Sequence, residues 1–386
     1  PRTETKKSAK AWKDGALFHK GILKSASKSI REPPNGILIL AAILEKMGYS
    51  VEVVDCSILL NPQKRIKELA GQTRLMGFTS LTNTLPDTLN LAEIAKNNNK
   101  SLYVVLGGAH ASFRHKSMLK MFKFIDYICV GESESSFPWL VEHLLHLPSI
   151  DLYYNGKSQD SQINNIATMF HLEEKNTTIE KGIAYRISQA PNKIEINPKN
   201  NVCFSGLPNP TDLNNVPLPA RHLLHQRYGI ANVLVNRGCP NRCSFCSRSN
   251  LFPKTRIRPL QSIIKEIKQI VSIGSYEVVN FYDNINLNRK FFQDFLQQLI
   301  EVPGMLPWGA ELRADTITEK DAELMKRSNC SGIATGVETV DEEVLKFNGK
   351  YQNTAREKRG IEILKEAGMS VQLFFIVGLP AETPQT

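Results

Sequence analysis

Cys239, Cys243 and Cys246 lie together in the string RGCPNRCSFCSRS. Three thiolates on one short loop can bind three irons of a cubane cluster and leave the fourth iron without a protein ligand. An iron with open positions can take a substrate or cosubstrate directly, which a fully ligated electron-transfer cluster cannot. The competing readings are a structural zinc site or three buried thiols. Zinc asks for four ligands, usually in paired CxxC knuckles. The nearest histidine, His225, lies well upstream, and no fourth cysteine follows closely. Ligand count therefore favours iron and sulfide.

An element must present that loop. The apolar run Asn232–Asn236 reads as a buried strand, and Gly238 and Pro240 shape a tight turn beyond it. The loop then falls at the carboxyl end of a first strand, where α/β sheets place their chemistry. Downstream, helix and strand patterns alternate: helix 261–273, strand 278–282, helix 290–300, strand 308–313, helix 319–326, strand 332–336. A helix from Asp341, a helix over 354–367 and a strand over 370–377 complete the series. Five strands with helices between them predict a partial (β/α) barrel over residues 227–386, with functional side chains at the strand ends. Asp283 and Asn284, Arg313 and Asp315, Glu338 and Thr339, and Gly378 stand at those ends.

Here the sequence resembles the radical S-adenosylmethionine (radical SAM) superfamily, whose signature is CxxxCxxC after the first barrel strand. Phe245 matches the aromatic that usually precedes the last cysteine. The family's later landmarks read FYDNIN, LRAD, GVET and GLPAET in this chain, with Thr339 for the usual Ser and Ala381 for the usual Gly. Lys350 matches a lysine common in the family. The resemblance implies a 4Fe–4S cluster on Cys239, Cys243 and Cys246 and S-adenosylmethionine held near Asp283, Arg313 and Glu338. A carboxylate such as Glu338 suits ribose hydroxyls or the amine, and Arg313 suits a two-point grip on a carboxylate.

Residues 33–148 show a second βα series. Helix 36–47 precedes strand 51–55, helix 63–70 and strand 75–79. Helix 87–96, strands 102–106 and 127–130, and helix 136–146 follow. This alternation predicts a parallel sheet covered by helices. Thr79-Ser80, Gly107-Gly108 with His110, and Gly131-Glu132 lie at its strand ends, where glycine lets backbone amides approach a ligand. These stretches resemble the Rossmann-like cobalamin-binding domain that precedes many radical SAM domains. The resemblance places Thr79, Ser80, Gly107, Gly108, His110, Gly131 and Glu132 against cobalamin. No DxHxxG occurs, so cobalt would lack the histidine below it. No apolar run precedes Pro33, so the sheet is expected to lack its first strand, and the barrel to be cut at its C-terminal end.

Residues 149–226 are polar and read as a linker with one hairpin, 182–187 returning as 193–196, and a Pro-punctuated strap that carries His222 and His225. Residues 1–32 form a basic tail, and residues 1–31 carry +7 of the net charge of +10. That concentration argues against a nucleic-acid partner for the folded part. Composition is that of a globular chain, 41% apolar and 22% charged over 386 residues, with no run long enough to span a bilayer and no signal peptide. An odd count of seven cysteines points to a reducing cytoplasm. Cys56, Cys129, Cys203 and Cys330 are isolated beside apolar stretches and read as small core residues.

Together these resemblances imply a cobalamin-dependent radical SAM enzyme. Its cluster would cleave S-adenosylmethionine reductively to a 5′-deoxyadenosyl radical that takes hydrogen from substrate, for C-methylation by methylcobalamin. Flavodoxin or ferredoxin would supply the electron, and the substrate would be a small molecule, lipid or peptide. A non-methylating cyclase or ring-rearranging enzyme, a tRNA methylthiotransferase and a non-enzymatic cobalamin sensor are the alternatives.

Overall fold

The computed structural model describes residues 32–145, 179–186, 202–225 and 228–384. These described residues divide into two units, one drawn from 36–212 with 219–223, the other from 224–384 with 213–218 and 32–35.

The first unit is laid on a five-stranded sheet in the order β1 (Leu75–Thr79), β2 (Tyr103–Gly107), β3 (Tyr127–Cys129), β4 (Ile183–Arg186), β5 (Val202–Phe204). The first three strands run parallel and the last two antiparallel. The apolar run of β2 is explained by burial on both faces. Val104 and Leu106 meet α3 (Leu85–Asn98) and α4 (Ala109–Met121), while Val105 packs with Leu140 and Leu144 of α5 (Ser136–Leu145). Two further helices, α1 (Asn35–Lys46) and α2 (Pro62–Ala70), match the sequence reading.

Three expectations need correction. Residues 51–55 are not a strand: no strand lies beside them among the described residues, so the apolar stretch has no ladder to join. Helix α4 was not expected, because AHASFRHKSMLKM carries only a few apolar residues, of which Ala111, Met118 and Leu119 face the core. Residues 183–186 and 202–204, read as linker, are sheet strands of this unit. The hairpin's return arm, 193–196, lies outside the described residues; Ile183–Arg186 pairs instead with Val202–Phe204.

In the second unit, five parallel strands follow the order β12-β11-β10-β9-β6: β6 (Ile230–Leu234), β9 (Val278–Asn284), β10 (Trp308–Glu311), β11 (Cys330–Glu338) and β12 (Ser370–Phe375). A short antiparallel pair, β7 (Asn236–Arg237) with β8 (Arg256–Ile257), stands apart from that sheet. The helices are α6 (Arg248–Leu251), α7 (Leu260–Ile273), α8 (Arg289–Ile300), α9 (Glu319–Arg327), α10 (Glu342–Phe347) and α11 (Thr354–Glu366). Phe281, Phe295 and Trp308 meet edge to face in the core, and the Trp308 indole N–H donates to Ser328 O at 2.8 Å.

Helix α11 packs on the turn Ala314–Thr316 that follows β10. Contact is so close that a Cβ on Gly360 would stand 1.9 Å from Ala314 O. Gly360→Ala is therefore expected to cost about 1–3 kcal/mol by overpacking. The check is a lower denaturant midpoint at unchanged m-value.

Candidate functional site

The cysteine loop grows from the stem that β7 and β8 make. Gly238 sits at φ +82, and a Cβ there would stand 2.5 Å from Lys254 O, so a bulkier residue would force the stem open. Cys239 and Cys243 are half-buried and Cys246 is exposed, and none is in a disulfide. Cys239 and Cys246 lie near enough to Cys243 to oppose its ionisation, while burial pushes that thiol up and the Lys350 ammonium draws it down. Arg248, two residues beyond Cys246, forms an ion pair with Asp283 at the end of β9.

Four non-glycine residues among those described adopt positive φ: Asp283 (φ 78) and Glu338 (φ 64) at the carboxyl ends of β9 and β11, Asn329 (φ 70) directly before β11, and Ala381 (φ 70) in the GLPAET turn. Such backbone is costly and is kept where surrounding contacts enforce it. Asp283 is 8% exposed, and burial raises its carboxyl to about 6 despite the opposing pull of Arg248. Glu338 folds back over Gly336, where a Cβ would meet its carboxylate, and pairs with Lys350 Nζ at 3.0 Å.

Arg313 is gripped on its own strand end. Its Nε and Nη2 donate to the two oxygens of Asp315 at 2.9 and 2.6 Å, and Nη2 also donates to Tyr351 O at 2.8 Å. The two-point grip expected for a bound carboxylate is thus taken by Asp315. The Cys239 thiol lies close enough to raise the Arg313 guanidinium, after Asp315. Asn286 clasps the Arg313 backbone, accepting from its N–H at 3.0 Å and donating to its carbonyl at 2.7 Å. Buried Glu357 accepts from Asp315 N–H at 2.9 Å and from the Thr335 hydroxyl at 2.7 Å.

In the first unit, the residues expected against cobalamin mostly hold one another. Ser80 N–H donates to Gly107 O at 2.9 Å, and His110 N–H donates to Ser80 O at 3.2 Å. A Cβ on Gly108 would clash with Ser80 O and Thr79 Oγ1. Gly131 N–H donates to the Ser112 hydroxyl at 2.9 Å, and Glu132 accepts from Thr211 N–H at 3.1 Å. The open rim consists of Thr79, Leu81, Thr82 and His110, whose Nδ1 lies 3.1 Å from Thr82 Oγ1.

The sequence model described as the radical SAM superfamily matches residues 233–386, and that described as a B12 binding domain matches residues 29–141. The chain belongs to the radical SAM proteins that carry a B12-binding domain. It is 26% identical over 365 residues to an uncharacterized methyltransferase, PH0819, of Pyrococcus horikoshii, covering 91% of this chain and 70% of that protein. It is 27% identical over 371 residues to the anaerobic magnesium-protoporphyrin IX monomethyl ester cyclase of Rubrivivax gelatinosus, where it spans 92% of this chain and 60% of the enzyme. Its fold matches the radical SAM methyltransferase TsrM of Kitasatospora setae with a TM-score of 0.71 at 18% identity, over 92% of this chain and 66% of that one.

The cofactors of this radical SAM protein are a 4Fe–4S cluster, S-adenosylmethionine and cobalamin. The donor set fits the cluster. Three thiols share one loop, yet among the described residues no three His, Cys, Asp or Glu side chains gather as ligands of a single ion. A zinc site would need four such ligands around one centre. For cobalamin, Thr79, Leu81 and Thr82 form an exposed rim beyond β1, with the half-buried His110 beside it and no DxHxxG motif in the sequence to hold cobalt from below. Among the described residues, no helix is long and apolar enough to cross a membrane.

Sequence reasoning missed Arg248, Asn286, Asn348 and Glu357, whose partners are remote in the chain. Arg248 alone gave a signal, as a cation directly after the cysteines. Of the four isolated cysteines, Cys56, Cys129 and Cys203 sit in or against cores, and Cys330 is half-buried at the start of β11. Burial raises Cys129 to about 12 and Cys330 well above the usual thiol range. Alkylation of cluster-free protein at pH 8 should therefore modify Cys246 first and spare Cys129 and Cys330 until unfolding. Peptide mass mapping over time checks this order; early labelling of Cys129 would contradict it.

Proposed function

We propose that the chain works as a cobalamin-dependent radical SAM enzyme that methylates carbon. One observation carries the reading. Charged residues from two strand ends, Asp283 and Glu338, pair with cations beside the cysteine loop: Arg248, two residues after Cys246, and Lys350, next to the Gly349 that abuts Cys243. Cys239, Cys243 and Cys246 would hold the cluster. Glu338 and its buried lysine would orient the cosubstrate, and Thr79 and His110 would meet cobalamin. When bound, the cofactors supply reductive cleavage of S-adenosylmethionine and a transferable methyl group. The chain's own residues orient the reacting groups and fix the loop. A flavodoxin or ferredoxin is the proposed electron donor, and a small molecule, lipid or peptide the substrate.

The test is oxygen-free reconstitution with iron, sulfide and methylcobalamin, followed by dithionite and mass spectrometry of the adenosine products. Formation of 5′-deoxyadenosine together with S-adenosylhomocysteine is the expected result. Colourless protein that carries zinc would sink the proposal. A cyclase is as similar to this chain as a methyltransferase is, so a second reading, radical chemistry without methyl transfer, also has support. It would give 5′-deoxyadenosine alone.

A further inference from the structure

The turn Asn348-Gly349-Lys350, between α10 and α11, touches several stretches of its unit at once. Ser244, in the middle of the cysteine loop, donates its N–H to Asn348 O at 2.9 Å and its hydroxyl to Asn348 Oδ1 at 2.7 Å. The Asn348 amide, 1% exposed, donates in turn to Val344 O and Pro380 O, each at 2.9 Å. Gly349 lies at φ +69, and a Cβ there would stand 3.0 Å from Arg242 O and 3.9 Å from Cys243 Cα. The two backbones thus leave little room for a side chain at position 349. Lys350 is buried, donates to Gly336 O and pairs with Glu338.

We propose that this turn is a positioning element, which fixes the cysteine loop in register with the strand end bearing Glu338 and with the Pro380 turn. The inference rests on the cysteines being cluster ligands. A buried side-chain amide satisfied on both its oxygen and its nitrogen is costly to unmake, because each lost partner leaves a polar group without water. Groups that hold metal ligands from behind set how tightly the metal centre is kept. Here three consecutive residues brace an irregular loop that its stem and the Arg248–Asp283 pair also hold.

Three alanine variants of the full chain separate positioning from backbone strain. Gly274 also lies at φ +69, but a Cβ there would meet nothing within 4 Å. Gly274→Ala therefore reports the cost of the backbone conformation alone, and Gly349→Ala adds crowding against the cysteine loop. Ser244→Ala removes one hydroxyl from an exposed residue and leaves the core untouched. Each protein is reconstituted with iron and sulfide without oxygen. Iron per chain, the electron paramagnetic resonance spectrum of the reduced cluster and cluster loss to a chelator are then measured.

Gly274→Ala is expected to retain its cluster as the unaltered chain does. Gly349→Ala should hold it about tenfold less tightly, the lower end of effects seen when such supporting groups are lost. Ser244→Ala should move in the same direction, and the reduced-cluster spectrum should shift in both. If Gly349→Ala and Ser244→Ala match Gly274→Ala in retention and spectrum, the positioning role is wrong. If the unaltered chain itself takes up no cluster, the ligand assignment falls instead, a separate outcome.

Discussion

Cys243→Ala is expected to bring bound iron to background after reconstitution and to abolish 5′-deoxyadenosine formation. Cys243 is the half-buried middle thiol, flanked by Cys239 and Cys246 and faced by the Lys350 ammonium. Burial opposes its ionisation, and in cluster-free protein the nearby Lys350 cation favours thiolate, as a bound iron would do further. Removing it leaves one iron corner without a sulfur ligand, and no fourth cysteine stands nearby in sequence to replace it. The fold should survive, because the half-buried side chain belongs to a loop outside the parallel sheet. Cys203→Ala serves as the comparison, since that thiol packs against the core of the first unit and should leave iron content unchanged. Cleavage at the unaltered rate by folded Cys243→Ala protein would remove the three cysteines from the chemistry.

The part of this site that the sequence reveals is the part made of near neighbours. Three cysteines within one loop state their ligand chemistry by spacing, and the alternation of β2 or β9 with the following helix is read from apolar periodicity. What stays hidden depends on contacts made across the chain. Asn348 and Ser244 are far apart in sequence, as are Asp315 and Glu357, so no local pattern announces either bond. Arg313 illustrates a different failure. Its partner Asp315 is only two residues on, and both were in view, yet an arginine at a strand end was read as reaching for a ligand. The structure closes that fork within the turn itself. Helix α4 escaped notice for a third reason: a chain segment with few apolar residues becomes helical because Ala111, Met118 and Leu119 find a core to pack on, not from its own pattern.

Arg258→Met is expected to cost about 3–5 kcal/mol of unfolding free energy and to loosen the cysteine loop with it. Arg258 directly follows β8, the returning arm of the loop's stem, and is 2% exposed. Its N–H donates to Val235 O at 2.9 Å, and its Nη1 donates to Leu234 O at 3.3 Å and to Glu266 of α7. Nη2 and Nε reach the Ser262 hydroxyl at 3.0 and 3.2 Å. One guanidinium thus ties the far end of the loop to the first strand of the sheet and to the helix behind it. Glu266 is fully buried, so taking away its cation leaves a carboxylate in a medium that solvates it poorly. The double variant Arg258→Met with Glu266→Met removes both charges, and most of the lost stability should return, because the desolvation penalty disappears along with the attraction. Equilibrium denaturation of the three proteins gives the coupling. Cluster retention should follow the guanidinium rather than the stability: the double variant regains its midpoint but not its grip on iron, since Leu234 O has lost the side chain that held the stem, although the backbone bond to Val235 O remains. A double variant that recovers both would mean that Arg258 serves only the core.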